Sequence, residues 1–160
     1  MKNFNWTKIV IAVVVCLAVG YFSSISTRSS VQVWFPTIQK PFFNPPAWVF
    51  APVWTILYIM MGIASGIIWS KHQKNNSDTK NALLIFGFQL LLNALWSLLF
   101  FGLKNPLLAF IEIILLWLVI YETIKSFNKI DSLAGKLLYP YLAWVSFATL
   151  LNGSIWYLNQ

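Results

Sequence analysis

Amide and aromatic side chains recur at helical spacing in three apolar segments of this chain. Gln89, Asn93, Trp96 and Phe100 follow one another at i, i+4, i+7 and i+11, so they share one helix face. Two further stripes have the same character: Trp54, Tyr58, Met61 and Ser65, and Trp144, Ala148, Asn152 and Trp156. Buried amides need partners or a ligand, so the stripes predict one aromatic cavity where they converge. The open alternative is that the aromatics pack and the amides bond across helices.

Depth separates the tryptophans into two groups. Membrane proteins place tryptophan at both interfaces, and most of the nine tryptophans here fall near segment ends. Trp117 and Trp144 instead fall about 16 Å into their predicted helices, and Trp54 about 12 Å into its own. An interfacial belt therefore does not account for Trp117 or Trp144.

Glu112 is the one carboxylate well inside an apolar segment, about 9 Å below the helix start at Pro106. A functional role is the default hypothesis for such a residue, and a structural pairing with a tyrosine, an amide or Lys104 is the alternative. Cys16 has no second cysteine to pair with, and the single histidine, His72, lies in a polar loop. The sequence therefore predicts no metal site and no intrinsic cofactor.

The composition is that of an integral membrane protein. Apolar residues make up 59% of the 160 residues and charged residues 9%, which leaves too little polar surface for a soluble domain. A membrane-spanning helix needs about 20 apolar residues, and five segments meet this length. They are Ile9 to Thr27, Pro46 to Ser70, Asn81 to Phe101, Pro106 to Phe127, and Leu133 to Leu158. We therefore predict an all-α integral membrane protein, a five-transmembrane-helix bundle that forms one domain over residues 1–160. The first segment could also be a signal peptide, although Ser24 to Ser26 make a poor cleavage site.

The basic residues predict the orientation. If the sides alternate, one side receives Lys2, Lys8, Lys71, Lys74, Lys80, Lys125, Lys129 and Lys136, and the other receives Arg28, Lys40 and Lys104. Cytoplasmic loops carry the excess of lysine and arginine, so we expect a cytoplasmic N-terminus and an external C-terminus in the cell membrane. The scattered charge suits insertion and contact with anionic lipid, and it argues against nucleic acid as a partner.

The stretch from Trp34 to Tyr58 holds five prolines and eight aromatic residues. Because proline fixes φ, the loop before Asn44 is predicted to be compact and stiff, a proline/aromatic lid loop between helices 1 and 2 that faces outside. Gly62 and Gly66 follow as a G-x-x-x-G pair, which permits close approach of another backbone. We favour a partner helix within the chain, and a second copy, which would make a homodimer, is the alternative.

Several motifs together carry a family resemblance. They are W-F at Trp34-Phe35, Q-K-P at Gln39 to Pro41, P-P-x-W-V at Pro45 to Val49, P-V-W-x-x-L-Y at Pro52 to Tyr58, N-x-x-W at Asn93 to Trp96, F-F-G at Phe100 to Gly102, and Y-P-Y-L-A-W-x-x-F-A-T at Tyr139 to Thr149, followed by Asn152 and Trp156. By these residues the chain resembles the TspO/MBR family of tryptophan-rich sensory and translocator proteins, which includes the mitochondrial peripheral benzodiazepine receptor.

The resemblance implies a five-helix bundle whose pocket binds porphyrins such as protoporphyrin IX and isoquinoline or benzodiazepine-type ligands. By motif, the implied pocket residues are Trp54, Asn93, Trp96, Trp144 and Ala148, with Trp34, Phe35 and Trp48 in or under the lid, and the helical stripe adds Gln89 and Phe100. Some bacterial members are linked to light- and oxygen-dependent porphyrin degradation. Trp54 and Trp144 are then the candidate catalytic residues, as radical or electron partners of the excited ring.

Two departures from the family pattern bear on partners. Gly153 stands where the animal cholesterol-recognition pattern has tyrosine, and no basic residue follows Trp156, which makes cholesterol binding doubtful. Leu84 and Phe88 replace the small residues of the family's dimer stripe, which puts dimerisation through that face in doubt. The leading prediction is a porphyrin receptor with photo-oxidative activity. A tetrapyrrole or lipid transporter and a ligand sensor that regulates a partner protein are the alternatives.

Overall fold

The computed structural model of the chain describes residues 4–71 and 77–160, so Lys2, His72 and Lys74 lie outside the described residues. Within them the chain forms six α-helices and no β-strand. The helices are α1 (Trp6–Val33), α2 (Ala47–Ser70), α3 (Ser77–Ser97), α4 (Pro106–Ile130), α5 (Ser132–Lys136) and α6 (Tyr139–Leu158). A π-helical turn, Leu98–Gly102, extends α3, and a short 3₁₀ turn, Phe35–Thr37, follows α1.

The predicted count of five helices is not confirmed, because the last predicted span contains two helices. The sequence from Leu133 to Leu158 is divided into α5 and α6, and the break precedes Pro140, which lies in the first turn of α6. Proline lacks the backbone N–H that an uninterrupted helix would need there, but it is well suited to a first turn. The other helices also begin or end a few residues away from their predicted bounds, most of all α1, which continues to Val33 rather than Thr27.

Four helices of the described residues are long and apolar enough to cross a membrane. They are Trp6–Ile25 within α1, Ala47–Ser70, Ser77–Gly102 and Pro106–Ile130. Helix α6, which carries Asn152, three serine or threonine residues and three tyrosines, is not among these four. The chain is thus an all-helical, multi-pass membrane protein.

Side-chain caps fix the start of three helices. Asn5 accepts a hydrogen bond from the N–H of Lys8 at 3.3 Å, and Asn105 accepts one from Leu108 at 3.1 Å. Asp131 accepts bonds from Leu133 and Ala134 and also pairs with Lys71 Nζ at 2.6 Å. Because these caps satisfy N–H groups that a helix leaves unpaired, they define where each helix begins.

The helices form a bundle in which α1 packs on α2, α3 on α4, and α4 on α6. At one end, the hydroxyl group of Ser70 donates to the carbonyl of Asn5, so the C-terminus of α2 lies beside the N-terminus of α1. At the other end, the first loop (residues 34–46) reaches the end of α6, where Asn159 bonds to the backbone of Gln39. The N-terminal and C-terminal ends of the described bundle therefore lie at opposite ends of it.

The glycine pair of α2 faces α1 of the same chain. A Cβ atom at Gly66 would lie 2.5 Å from the Cα atom of Ile9, and one at Gly62 would overlap the backbone of Val13. Only glycine permits this approach of two helix backbones. The G-x-x-x-G pair is therefore used within the chain, as we favoured from the sequence.

Candidate functional site

A chain of hydrogen bonds crosses the bundle interior between α2, α3 and α6. The hydroxyl group of Tyr58 donates to Asn93 Oδ1 at 2.6 Å, and Asn93 Nδ2 donates to the hydroxyl oxygen of Tyr141 at 2.8 Å. Tyr141 in turn donates to Gln89 Oε1 at 2.9 Å. All four side chains are buried, so these bonds satisfy most of the polar groups that the apolar interior would otherwise leave unpaired.

Two aromatic pairs join α2 to α6 directly beside these hydrogen bonds. Trp54 lies 6.3 Å from Tyr141 between ring centroids, and Phe50 lies 6.0 Å from Trp144. Phe50 and Trp54 are one turn apart on α2, as Tyr141 and Trp144 are nearly one turn apart on α6. The two predicted catalytic tryptophans therefore lie on facing helices, and each contacts an aromatic residue of the other helix.

A second layer of aromatic contacts connects α3 with the first loop. Trp96 stacks on Phe100 at 5.3 Å, and Phe100 also contacts Trp34 at 5.8 Å and Phe35 at 6.2 Å. The indole N–H of Trp96 donates to Asn152 Oδ1 at 2.9 Å. Phe100 is part of the π-helical turn, a local widening of the helix that often accompanies functional sites.

The structure brings most of the predicted ligand-binding residues together in these two layers. Trp54, Gln89, Asn93 and Trp144 belong to the inner layer, and Trp34, Phe35, Trp96 and Phe100 to the layer at the first loop. Ala148 is half-buried one turn beyond Trp144. Trp48 is apart from both layers, because its side chain is 74% exposed at the start of α2.

The side-chain amides form hydrogen bonds between helices, as expected from the alternative in which the stripes pack against one another rather than against a ligand. Both side-chain atoms of Asn93 are used by tyrosines, and Asn152 accepts from Trp96 while its Nδ2 donates to the Pro106 carbonyl at 2.8 Å. Gln89 differs, since within the described residues its Nε2 has no hydrogen-bond partner. Among the amide nitrogens of the stripes, Gln89 Nε2 alone makes no hydrogen bond within the described residues.

A groove of about 750 Å³ opens beside the first loop, between that loop, α4 and α6. Phe42, Phe43, Phe110 and Trp156 are among the aromatic residues that line it, and Lys40 lines it as well. None of the ten predicted ligand-binding residues lines this groove. An aromatic series nevertheless links it to the interior, because Phe43 contacts Phe147 at 6.3 Å and Phe147 contacts Trp144 at 5.5 Å.

Glu112 is buried in α4, with 7% of its surface exposed. Neither carboxylate oxygen has a hydrogen-bond partner among the described residues. The predicted structural pairing with a tyrosine, an amide or Lys104 is therefore not formed within them.

Comparison with known proteins agrees with these motifs. The family model described as TspO/MBR family matches residues 12–158. The chain belongs to the TspO/MBR family. It is 44% identical to the tryptophan-rich protein TspO of Archaeoglobus fulgidus over 97% of this chain and 99% of that protein. It is 36% identical to the translocator protein of Sus scrofa over 88% of this chain and 83% of that protein. The tryptophan-rich sensory protein of Cereibacter sphaeroides is 31% identical to it over 98% of this chain and 94% of that protein.

In this TspO/MBR chain, three features of the site were not predicted from the sequence: the position of Tyr141, the packing of two phenylalanines around Trp144, and the π-helical turn. Tyr141 joins the hydrogen bonds to the aromatic pairs, and Phe50 and Phe147 surround Trp144. Tyr141 lies three residues before Trp144, so extending the α6 stripe by one turn could have found it. The π-helical turn has no comparable signal, because its spacing in the sequence is that of an ordinary helix end.

Proposed function

We propose that this chain is a membrane receptor that binds porphyrins such as protoporphyrin IX, and isoquinoline or benzodiazepine-type ligands, in an aromatic pocket under the first loop. Family membership indicates a membrane receptor or sensor, and the names of the relatives agree with this role. The observation that carries the ligand class is the pair of aromatic contacts, Phe50 with Trp144 and Trp54 with Tyr141. A flat macrocycle stacks favourably on such rings.

The first loop would act as the lid of this pocket. Its start is held by the contacts of Trp34 and Phe35 with Phe100, and Gln39 is held by two bonds to Asn159, each 2.9 Å long. Lys40 lies near this point and offers a positive charge to the propionate groups of a porphyrin. Gln89 Nε2 is the unused interior donor that could bond a polar edge of the ligand.

The proposal extends to the arrangement in the membrane. With α6 as a fifth crossing helix, the N-terminus lies in the cytoplasm and the first loop and C-terminus lie outside. The 20 residues of α6 span about 30 Å, which equals the thickness of the hydrocarbon core. Attaching a reporter enzyme in turn to the first loop and to the N-terminus tests this orientation, since an external loop and an internal N-terminus are expected.

The chemical part of the proposal is light-driven loss of the bound porphyrin. One electron passes from the indole of Trp54 or Trp144 to the photoexcited ring, and the reduced ring passes it to molecular oxygen. The indole radical cation then takes an electron back from the porphyrin, and the resulting porphyrin radical cation combines with superoxide, so porphyrin and one O₂ give an oxygenated product and the indole is restored. Both tryptophans are half-buried, and each is packed against aromatic neighbours that a stacking ligand would replace.

The test is the absorbance of purified protein with protoporphyrin IX, in light and dark, with and without oxygen. Loss of the Soret band that requires light and oxygen, and that the double variant Trp54→Phe/Trp144→Phe lacks, is expected. Trp6→Phe is the matched control, because Trp6 is 71% exposed at the far end of α1. Saturable binding without turnover would refute the photo-oxidative part and leave a receptor. Absence of saturable binding would refute the whole proposal.

A transporter of tetrapyrroles or lipids is the second candidate. The name of the Sus scrofa relative, translocator protein, favours it, as does a groove at the side of the bundle that is linked to the interior by Phe43, Phe147 and Trp144. Vectorial porphyrin flux into proteoliposomes would support this candidate over a receptor.

A further inference from the structure

A second groove, of about 290 Å³, lies at the end of the bundle away from the first loop, between α1, α2 and α3. Gly62 and Gly66 bring the backbone of α1 against α2, whereas α1 packs much less closely on α3, and the groove lies at this looser contact. We call it the α1–α3 groove, and the residues that line it include Ile11, Ala12, Val15, Cys16, Trp69 and Phe86. Ile11 and Val15 are exposed, so the groove opens on the side of the bundle that faces the membrane.

The walls of the α1–α3 groove suit an apolar chain. Ser65 carries the one hydroxyl group among them, and this group donates to the carbonyl of Gly62 at 3.2 Å on its own helix. Trp69 lies near the end of α2, where tryptophan is typical of a membrane–water interface. An occupant of the groove is therefore held along most of its length by apolar contacts.

Lys8 places a positive charge at one end of the groove. It precedes Val15 by seven residues and so lies on the same face of α1. Its Nζ atom lies 5.5 Å from the ring centre of Trp69 and donates to the Trp69 carbonyl at 3.1 Å. Lys71, at the same end of the bundle, is paired with Asp131, but no carboxylate of the described residues pairs with Lys8. The ammonium group thus retains N–H donors and an uncompensated charge.

This combination of charge and apolar surface matches one leaflet of a membrane. The helix face from Lys8 to Cys16 covers about 12 Å along the axis, and half of the hydrocarbon core is about 15 Å thick. Lysines near a membrane surface attract anionic lipids, and an ammonium group forms strong hydrogen bonds with phosphate. We propose that the α1–α3 groove binds one anionic phospholipid, with its phosphate group on Lys8 and an acyl chain along the groove toward Cys16. The site shares no residue with the proposed porphyrin pocket and does not depend on that function.

Native mass spectrometry of the full chain in maltoside micelles tests the headgroup. We expect saturable binding of one dioleoyl phosphatidylglycerol and weaker binding of the zwitterionic dioleoyl phosphatidylcholine. Lys8→Gln should weaken phosphatidylglycerol binding about fivefold. Lys80→Gln is the matched control, because Lys80 is exposed at the same end of the bundle and does not line the groove. Equal binding of the two lipids, or an equal effect of the two variants, would overturn the proposal.

The position of the acyl chain is tested by filling the groove. Ala12→Phe should abolish saturable phosphatidylglycerol binding, because the new ring occupies the space of the chain. Val14→Phe, at an exposed position of the same helix outside the groove, should retain it. Undiminished binding in Ala12→Phe would show that the lipid lies elsewhere.

Photo-crosslinking of the unmodified chain keeps the test independent of the folding of that variant. Phosphatidylglycerol with a diazirine in its acyl chain should label residues 11–16 and 83–86, and Lys8→Gln should reduce this labelling. Labels spread evenly over the exposed helix faces would mean that only bulk lipid surrounds the bundle, and would refute the site. A lipid-free dimer joined through Val15 would refute it as well, because a second copy would then cover the groove.

Discussion

Removing the hydroxyl group of Tyr141, which is buried, should destabilise the bundle more than a tyrosine-to-phenylalanine change at its surface. The hydroxyl group takes part in two hydrogen bonds, one to Gln89 Oε1 at 2.9 Å and one from Asn93 Nδ2 at 2.8 Å. Interhelical hydrogen bonds in membrane proteins contribute about 0.6 kcal/mol on average and at most about 1.7. Tyr141→Phe should therefore lower the free energy of unfolding by about 1–3 kcal/mol.

The matched control is Tyr157→Phe, because Tyr157 lies on the same helix and is 74% exposed. Unfolding by sodium dodecyl sulfate in maltoside micelles, followed by far-ultraviolet circular dichroism, measures the difference. A double-mutant cycle with Tyr58→Phe adds a second readout, since both hydroxyl groups bond to Asn93 and their effects should not be additive. If Tyr141→Phe and Tyr157→Phe differ by less than about 0.5 kcal/mol, the hydrogen bonds contribute no net stability and the reasoning is refuted.

Three further predictions concern packing, the first loop and the buried ion pair. Gly66→Ala should destabilise the bundle by about 1–3 kcal/mol, because the new Cβ atom would collide with the backbone of Ile9. Gly87→Ala is the control and should not destabilise it, because a Cβ atom there meets nothing within 4 Å. Thermal unfolding of the two variants measures the difference. Asn159→Ala removes the two hydrogen bonds to the backbone of Gln39, so amide hydrogen exchange at residues 38–40 should become faster. Unchanged exchange would show that these bonds do not hold the first loop in place. Asp131→Asn should lower the unfolding midpoint in detergent by removing the partner of Lys71. A larger effect is expected for Lys71→Gln, because this change leaves the carboxylate of Asp131, whose side chain is 0% exposed, without this cation; equal midpoints in wild type and Lys71→Gln would contradict this.

The faces of the helices could be predicted because periodicity is a local property of the sequence. Gln89, Asn93 and Phe100 fall on one face by spacing alone, and in the structure all three are buried on the interior face of α3 and its π-helical turn. The partner of each amide could not be predicted, because it depends on the rotation and depth of a second helix. Asn93 thus bonds two tyrosines, although its spacing suited a ligand contact equally well.

Two local features of the helices could also not be predicted from the sequence patterns: the division between α5 and α6, and the π-helical turn. The division between α5 and α6 falls within a stretch whose apolar content is continuous, and the start of α5 is held by Asp131, which caps this helix and pairs with Lys71, sixty positions away in the chain. The π-helical turn positions Phe100 between Trp34 and Trp96, a contact that depends on the first loop folding back over α3. Long-range contacts of this kind are invisible to a local pattern.

The aromatic pairs between α2 and α6 also decide whether a flat ligand could enter between them. Insertion would separate Phe50 from Trp144 and Trp54 from Tyr141. Each such pair is worth about 0.5–1.5 kcal/mol beyond its buried area, so opening both would cost about 1–3 kcal/mol. A ligand that binds with micromolar affinity gains about 8 kcal/mol, and stacking on the same indoles replaces the contacts that were lost. The packed aromatic layer is therefore compatible with a binding site that opens when the ligand arrives.

Phe50→Ala removes one of the two aromatic pairs before the ligand binds. This variant should bind protoporphyrin IX more tightly if the cost of opening the pairs limits affinity. A weaker Kd in a titration of this variant would show instead that Phe50 is itself a stacking surface.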